Sequence, residues 1–216
     1  MQSIIEKVIE NKLIAIVRGV KKDKLIETAE AMYRGGIRLI EITYSANGSV
    51  SDEETAEGIR LLADNFRGRM LVGAGTVMTK RQVELTKAAG GRFIISPDTN
   101  EEIIRYTKEL GLVSIPGALT PSEITAAHRA GADFVKLFPI SNLGSGYVKA
   151  IKAPISNIRL LAVGGIDLDN MEEYYKVGVC GFGIGSNLAN LKLIEKGDFS
   201  SIEELARSYV EKVNSF

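Results

Sequence analysis

Two charged residues stand inside runs that are otherwise apolar. Lys136 interrupts Phe134-Val135-Lys136-Leu137-Phe138-Pro139, and Glu41 interrupts Leu39-Ile40-Glu41-Ile42. Neither residue type is commonly buried without a partner, and removing either charge from water is costly. Burial lowers a lysine pKa and raises that of a glutamate. An unperturbed lysine, with a pKa of about 10.4, is neutral at pH 7 in roughly one molecule of two thousand; a pKa near 7 frees half of them. A neutral amine attacks a carbonyl to form a Schiff base, and a carboxylate of raised pKa is suited to proton transfer. The competing structural account has a lysine stem that packs while its head reaches water, and a Glu41 held in an ion pair with Lys136 or Arg18.

Other chemistry-bearing residues recur at the ends of apolar runs. Arg18 follows Ala15-Ile16-Val17, and its planar fork matches a carboxylate. Gly73-Ala74-Gly75-Thr76 offers a hydroxyl and two glycines at which a ligand can approach the backbone, or only a tight turn. Val163-Gly164-Gly165-Ile166 and the end of Gly181-Phe182-Gly183-Ile184-Gly185-Ser186 are the best phosphate signal. Gly164, Gly165 and Gly185 would bring backbone N–H groups close to an anion and Ser186 would add a hydroxyl, unless the glycines serve turns alone.

These residues need a scaffold that gathers chain ends at one face. Eight short apolar runs, 13–17, 39–44, 70–74, 92–96, 113–115, 134–138, 159–163 and 181–184, alternate with segments of helical apolar spacing. The runs are continuous rather than alternating, as expected of parallel strands covered by helices. Glycines at 35–36, 90–91, 111, 131 and 178 precede strands and can end helices in the left-handed conformation. Thr79, Thr120-Pro121-Ser122-Glu123, and Asp167 or Asp169 mark helix starts. Eight βα units without a break in composition predict an α/β fold, a single (β/α)8 TIM barrel spanning residues 1–216 as one domain. A doubly wound sheet is the alternative, but no G-x-G-x-x-G follows the first run. Segment 2–11 reads as an extra amphipathic helix across the bottom of the barrel, and 202–213 as a closing helix. In such a barrel function gathers where strands end, which adds Pro97, Pro116 and Phe138 to the mouth.

Composition narrows the choice of partner. Twenty-seven Lys and Arg balance 27 Asp and Glu in 216 residues, so nothing favours nucleic acid or an anionic membrane, and any phosphate recognition is local. No apolar run approaches the roughly 20 residues of a membrane span, and the N-terminus lacks a signal-peptide core. Cys180 is the only cysteine, which fits a reducing, cytoplasmic setting. His128 is the only histidine and reads as a solvated helix residue; Cys180 reads as a small buried hydrophobe. No ligand cluster has metal spacing, so no metal or cofactor is expected, and a serine–histidine–aspartate hydrolase would have to rely on His128.

Taken together, the motifs resemble the class I 2-keto-3-deoxy-6-phosphogluconate (KDPG) and 4-hydroxy-2-oxoglutarate (KHG) aldolase family. The matching pieces are Ala15-Ile16-Val17-Arg18, Ile40-Glu41-Ile42-Thr43, Val72-Gly73-Ala74-Gly75-Thr76-Val77, Ile95-Ser96-Pro97, Ile115-Pro116-Gly117, Val135-Lys136-Leu137-Phe138-Pro139, Val163-Gly164-Gly165-Ile166 and Gly185-Ser186, in family order. The resemblance implies a metal-free barrel, a homotrimer, that cleaves a phosphorylated keto-deoxy sugar acid and releases pyruvate. It implies Lys136 as the Schiff-base lysine and Glu41 as the proton carrier. Thr76 and Arg18 would hold the pyruvate carboxylate, Pro97 and Phe138 would wall the pocket, and Gly164, Gly165, Gly185 and Ser186 would hold the phosphate. Two positions depart from the pattern. Ser45 stands where some members carry a carboxylate-binding arginine. Val163 stands where many KDPG aldolases carry threonine, and the 6-phosphogalactonate (KDPGal) aldolases of the family resemble this chain in having valine there. KDPG is therefore the first substrate expected, KDPGal the second. The alternative from another class is a sugar-phosphate-binding barrel without aldolase chemistry, an isomerase, decarboxylase or sensor.

Overall fold

The computed structural model describes residues 2–216. Its strands are β1 (Leu13–Val17), β2 (Leu39–Thr43), β3 (Leu71–Gly75), β4 (Phe93–Ile95), β5 (Val113–Ile115), β6 (Gly117–Ala118), β7 (Val135–Leu137), β8 (Leu160–Val163) and β9 (Gly181–Ile184). Every pairing is parallel, in the order β5-β4-β3-β2-β1-β9-β8-β7-β6. The two ends of this sheet are consecutive in the chain and are separated only by Pro116. Eight runs thus become nine strands in a TIM-like barrel, because the fifth continues past its proline. Pro116 has no N–H for a ladder, and the pairing changes sides there. The Ile115 carbonyl accepts from Ser96 N at 3.2 Å on the β4 side, and the Pro116 carbonyl accepts from Lys136 N at 2.9 Å on the β7 side.

Alternation of side chains sorts each strand into two layers. Ile40, Ile42, Val135 and Leu137 face outward into the core beneath the helices. Ile14, Leu39, Phe93, Ile95, Val113, Ile115, Phe134 and Leu161 fill the barrel axis. Helix α1 (Gln2–Asn11) adds Ile4 and Val8 to that inner cluster, so it closes the bottom as its amphipathic spacing predicts. Glu41 and Lys136 alternate with outward residues on β2 and β7, and therefore belong to the inner layer.

The helices that flank the mouth are capped by the expected residues. Thr79 begins α4 (Lys80–Ala88) and Thr120 begins α6 (Pro121–Arg129), each in a reciprocal capping box with the residue three further on. Ser51 does the same for α3 (Asp52–Asn65). One start differs: α8 (Met171–Lys176) begins at Asn170 rather than at Asp167 or Asp169. Asp167 Oδ1 instead accepts from the backbone N–H groups of Asp169 and Asn170, both at 3.0 Å, and shapes the turn before that helix. The last helix, α10 (Phe199–Asn214), is longer than expected and packs on α2 (Leu25–Arg34), where Arg34 Nε donates to Glu203 at 2.7 Å. Tyr44, buried beyond β2, donates to the Gln82 carbonyl at 3.1 Å, and Gln82 Nε2 donates to Asp52 Oδ1 at 3.0 Å. That network ties the end of β2 to α3 and α4.

Candidate active site

Glu41 and Lys136 are both buried, at 2% and 7% exposure, and line one small void on the barrel axis together with Ile16 and Val163. The void, about 10 Å3, has room for about one water. Burial pushes Glu41 from 4.5 up to about 7, against the opposing pull of the Lys136 and Arg18 charges. Burial likewise drives the Lys136 amine below its ordinary value; Glu41 opposes that shift and Arg18 adds to it. No ion pair joins the two among the described residues, and Glu41 Oε2 is a buried oxygen with no hydrogen-bond partner. A structural ion pair would have satisfied it, so the geometry supports the chemical reading of this glutamate over the structural one. Lys136 Nζ lies 4.4 Å from the centroid of the Phe138 ring, which stands at the mouth and is 36% exposed.

Glycines make the room for these groups, and differently from the sequence expectation. The sequence reads Gly73 and Gly75 either as points of close ligand approach or as a tight turn. Instead a Cβ on Gly73 would strike the Phe93 ring, and one on Gly75 would strike the Glu41 carboxylate. The open faces of β3 are occupied by the protein's own side chains.

Thr76, next in the chain, has a left-handed backbone (φ 56°), unusual for a β-branched residue. Its hydroxyl accepts from Arg18 Nη2 at 3.1 Å and so ties the ends of β1 and β3 together. Ser45 does not reach toward Arg18. Its hydroxyl donates to Asn47 Oδ1 at 2.7 Å and accepts from Ser49 N at 3.1 Å, which organises its own loop. With a short side chain at this position, a cavity of about 680 Å3 opens beside Arg18 between the ends of β1 and β2. It is the larger cavity, but neither Lys136 nor Glu41 lines it.

Pro97 is half-buried at the end of β4, and Val163 is buried at the end of β8. Gly164 and Gly165 have left-handed backbones (φ 91° and 71°) and lie against the loop after β7. A Cβ on Gly164 would crowd Phe138 and Pro139, and one on Gly165 would strike Ser141. Their glycine requirement is therefore met by packing and turn geometry, whatever their N–H groups bind. Gly185 has open space where a Cβ would stand, and Ser186 is exposed beside it. Asn170 Nδ2 donates to the Gly165 carbonyl at 2.8 Å, and Asn187 Nδ2 to the Ile166 carbonyl at 3.2 Å. Neither asparagine stands out in the sequence: Asn170 braces the loop after β8, and Asn187 joins the loop after β9 to it; asparagine in a turn is the available signal.

His128 is exposed on α6, and Cys180 is half-buried with its thiol pushed up to about 11 by burial. No group of three or more His, Cys, Asp or Glu among the described residues is placed to hold a metal ion.

Comparison with known proteins rests on the same frame. The family model described as "KDPG and KHG aldolase" matches residues 4–205. This chain belongs to the KDPG and KHG aldolase family. Among its relatives is a probable 2-dehydro-3-deoxy-6-phosphogalactonate aldolase of Rhizobium meliloti, 37% identical over 83% of this chain and 82% of that one. Another is a 2-dehydro-3-deoxy-phosphogluconate aldolase of Haemophilus influenzae, 33% identical over 97% of this chain and 96% of that one. A KDPG aldolase structure from Legionella pneumophila, with pyruvate captured as a covalent carbinolamine, superimposes with a TM-score of 0.85 at 29% identity, over 94% of this chain and 97% of that one. As a member of this family the chain is an aldolase, a carbon–carbon lyase.

Proposed function

We propose that residues 1–216 form one class I aldolase domain that cleaves 2-keto-3-deoxy-6-phosphogluconate to pyruvate and glyceraldehyde 3-phosphate, with 4-hydroxy-2-oxoglutarate as a further substrate giving pyruvate and glyoxylate. The observation that carries this reading is that Lys136 and Glu41, both buried, line one small void on the barrel axis, the lysine with a lowered pKa and the glutamate with a raised one. Lys136 Nζ attacks the C2 ketone, and loss of water gives the imine. The protonated imine withdraws electrons as the C3–C4 bond breaks. Glu41 accepts the C4 hydroxyl proton, through a water of the size that the void admits, and the aldehyde leaves. Glu41 then returns a proton to C3 of the enamine, and hydrolysis releases pyruvate and free Lys136. Arg18, oriented by Thr76, holds the pyruvate carboxylate; Pro97, Phe138 and Val163 wall the pocket. The loops of Gly164, Gly165, Gly185 and Ser186 receive the phosphate.

A second substrate reading has its own support. Val163 offers no hydroxyl to the substrate, and the 37%-identical relative is named for the galactonate substrate. The C4 epimer, 2-keto-3-deoxy-6-phosphogalactonate, is therefore the alternative. We further propose a homotrimer in the cytoplasm, on the family resemblance and the lone cysteine; no helix among the described residues is long and apolar enough to cross a membrane.

The test is borohydride reduction with pyruvate followed by peptide mass mapping. A reduced pyruvyl adduct on Lys136 is expected. Absence of an adduct on folded protein, together with activity surviving in Lys136→Arg, would move the assignment to a phosphate-binding barrel without imine chemistry.

A further inference from the structure

Glycine is retained in a strand for one of two physical reasons: a backbone angle that other residues avoid, or a lack of room for a Cβ. Gly75 has no positive φ, so its backbone would suit alanine. What a Cβ would meet is almost entirely one side chain. The nearest atoms are Glu41 Oε1 and Glu41 Cδ, with Thr43 Cγ2 next at 3.0 Å. Glu41 pairs directly with Gly73, two residues back along β3, and Gly75 pairs with Thr43. The Glu41 side chain therefore leans diagonally across β3 toward the barrel mouth, and its carboxylate rests over Gly75. Same-face diagonal neighbours on adjacent strands are within reach of a long side chain. The opposite glycine, Gly73, is filled by Phe93, which blocks the route deeper into the barrel.

We infer that Gly75 is a positioning residue for the reaction, whose missing side chain seats the Glu41 carboxylate at the mouth where it meets the substrate proton. Nothing else on the inner face of β3 offers this seat. With a methyl group there, Glu41 turns away while Lys136, on β7, stays in place, since the atoms nearest the added methyl belong to Glu41 and Thr43. This rests on the aldolase reading above, and it predicts a separation of the two half-reactions. Imine formation needs the amine; proton exchange at the pyruvate methyl needs the carboxylate.

The experiment compares Gly75→Ala with the unaltered protein in borohydride trapping of pyruvate and in exchange of the pyruvate methyl protons with deuterated water. Trapping is expected to stay near the unaltered level, and exchange and cleavage to fall about a hundredfold, the scale of a misplacement of roughly 1 Å. The conservative partner change supplies a second readout. Glu41→Asp withdraws the carboxylate by one methylene, so adding Gly75→Ala to Glu41→Asp is expected to cost far less than it does alone, the signature of direct coupling. Equal losses of trapping and exchange, multiplicative losses in the double variant, or full activity in Gly75→Ala would overturn the inference. If Gly75→Ala fails to fold, recovery of folding by Glu41→Asp supports the seat, and failure to recover overturns it. Absence of trapping in the unaltered protein would instead defeat the aldolase reading itself, so the two failures are distinguishable.

Discussion

At Glu41, burial makes stability depend on pH. Its carboxyl stands at about 7 in the folded protein against 4.5 when unperturbed. The folded state thus holds the proton more tightly than the unfolded chain does. The stability this provides is full below pH 4.5 and is lost as pH rises through 7. The gap from 4.5 to about 7 corresponds to roughly 3 kcal/mol of folding free energy. Glu41→Gln removes the ionisation, so its urea stability relative to the parent should improve progressively between pH 5 and pH 8. The same change should abolish the acid limb of kcat/KM near pH 7 and lower kcat by about 10²–10⁴-fold. A second residue-scale prediction concerns Val163. A hydroxyl introduced by Val163→Thr should raise the gluconate-to-galactonate ratio of kcat/KM about five- to tenfold, the worth of one neutral hydrogen bond. An unchanged ratio in parallel assays of the two epimers would remove Val163 from substrate selection.

Elements carry the site by ending where they do. Strand β3 delivers Gly75 and Thr76, and α4 begins four residues after Thr76 with the Thr79 capping box. Thr79 accepts from Gln82 N at 3.2 Å, and Gln82 Oε1 accepts from Met78 N at 2.8 Å. Thr79→Ala should therefore destabilise the protein by about 1 kcal/mol in chemical denaturation. Because Thr79 lies outside the pocket, pyruvate trapping measured under native conditions should stay at the parent level. On the other side of the barrel, Asn170 ties the loop after β8 to itself, and Asn187 ties the loop after β9 to it. Among the described residues, Thr76 is the one β-branched residue with a left-handed backbone, held against its preference. Its hydroxyl on Arg18 gives the strain a use.

As a whole, the molecule is a ring whose axis is plugged at one end and lined by Lys136 and Glu41 toward the other. Helix α1 and the rings of Phe93 and Phe134 fill the bottom, so only the mouth is open to substrate. The exposed apolar residues Met78 and Phe138, at 49% and 36%, belong to segments that follow β3 and β7 at that end. The proposed trimer is checked by sedimentation equilibrium, which should return three times the 23.4 kDa chain mass; a monomer at micromolar concentration would refute it.

The pattern of short apolar runs and helical segments was legible because it is local. Hydrophobic period, capping residues and helix-ending glycines act within a few positions of one another, and they appear as expected from Thr79 to Gly131. Lys136 and Glu41 were legible for a related reason, since a charge in an apolar run is anomalous wherever the strand lies. Other features depended on neighbours far along the chain. Only packing shows that Gly75 makes room for Glu41, Gly73 for Phe93, and Gly165 for Ser141. Only the ring shows that a second short strand follows the fifth run beyond Pro116 and passes the pairing from β4 to β7. A glycine in a sequence states that space or freedom is needed; which group occupies the space is settled when distant strands come together.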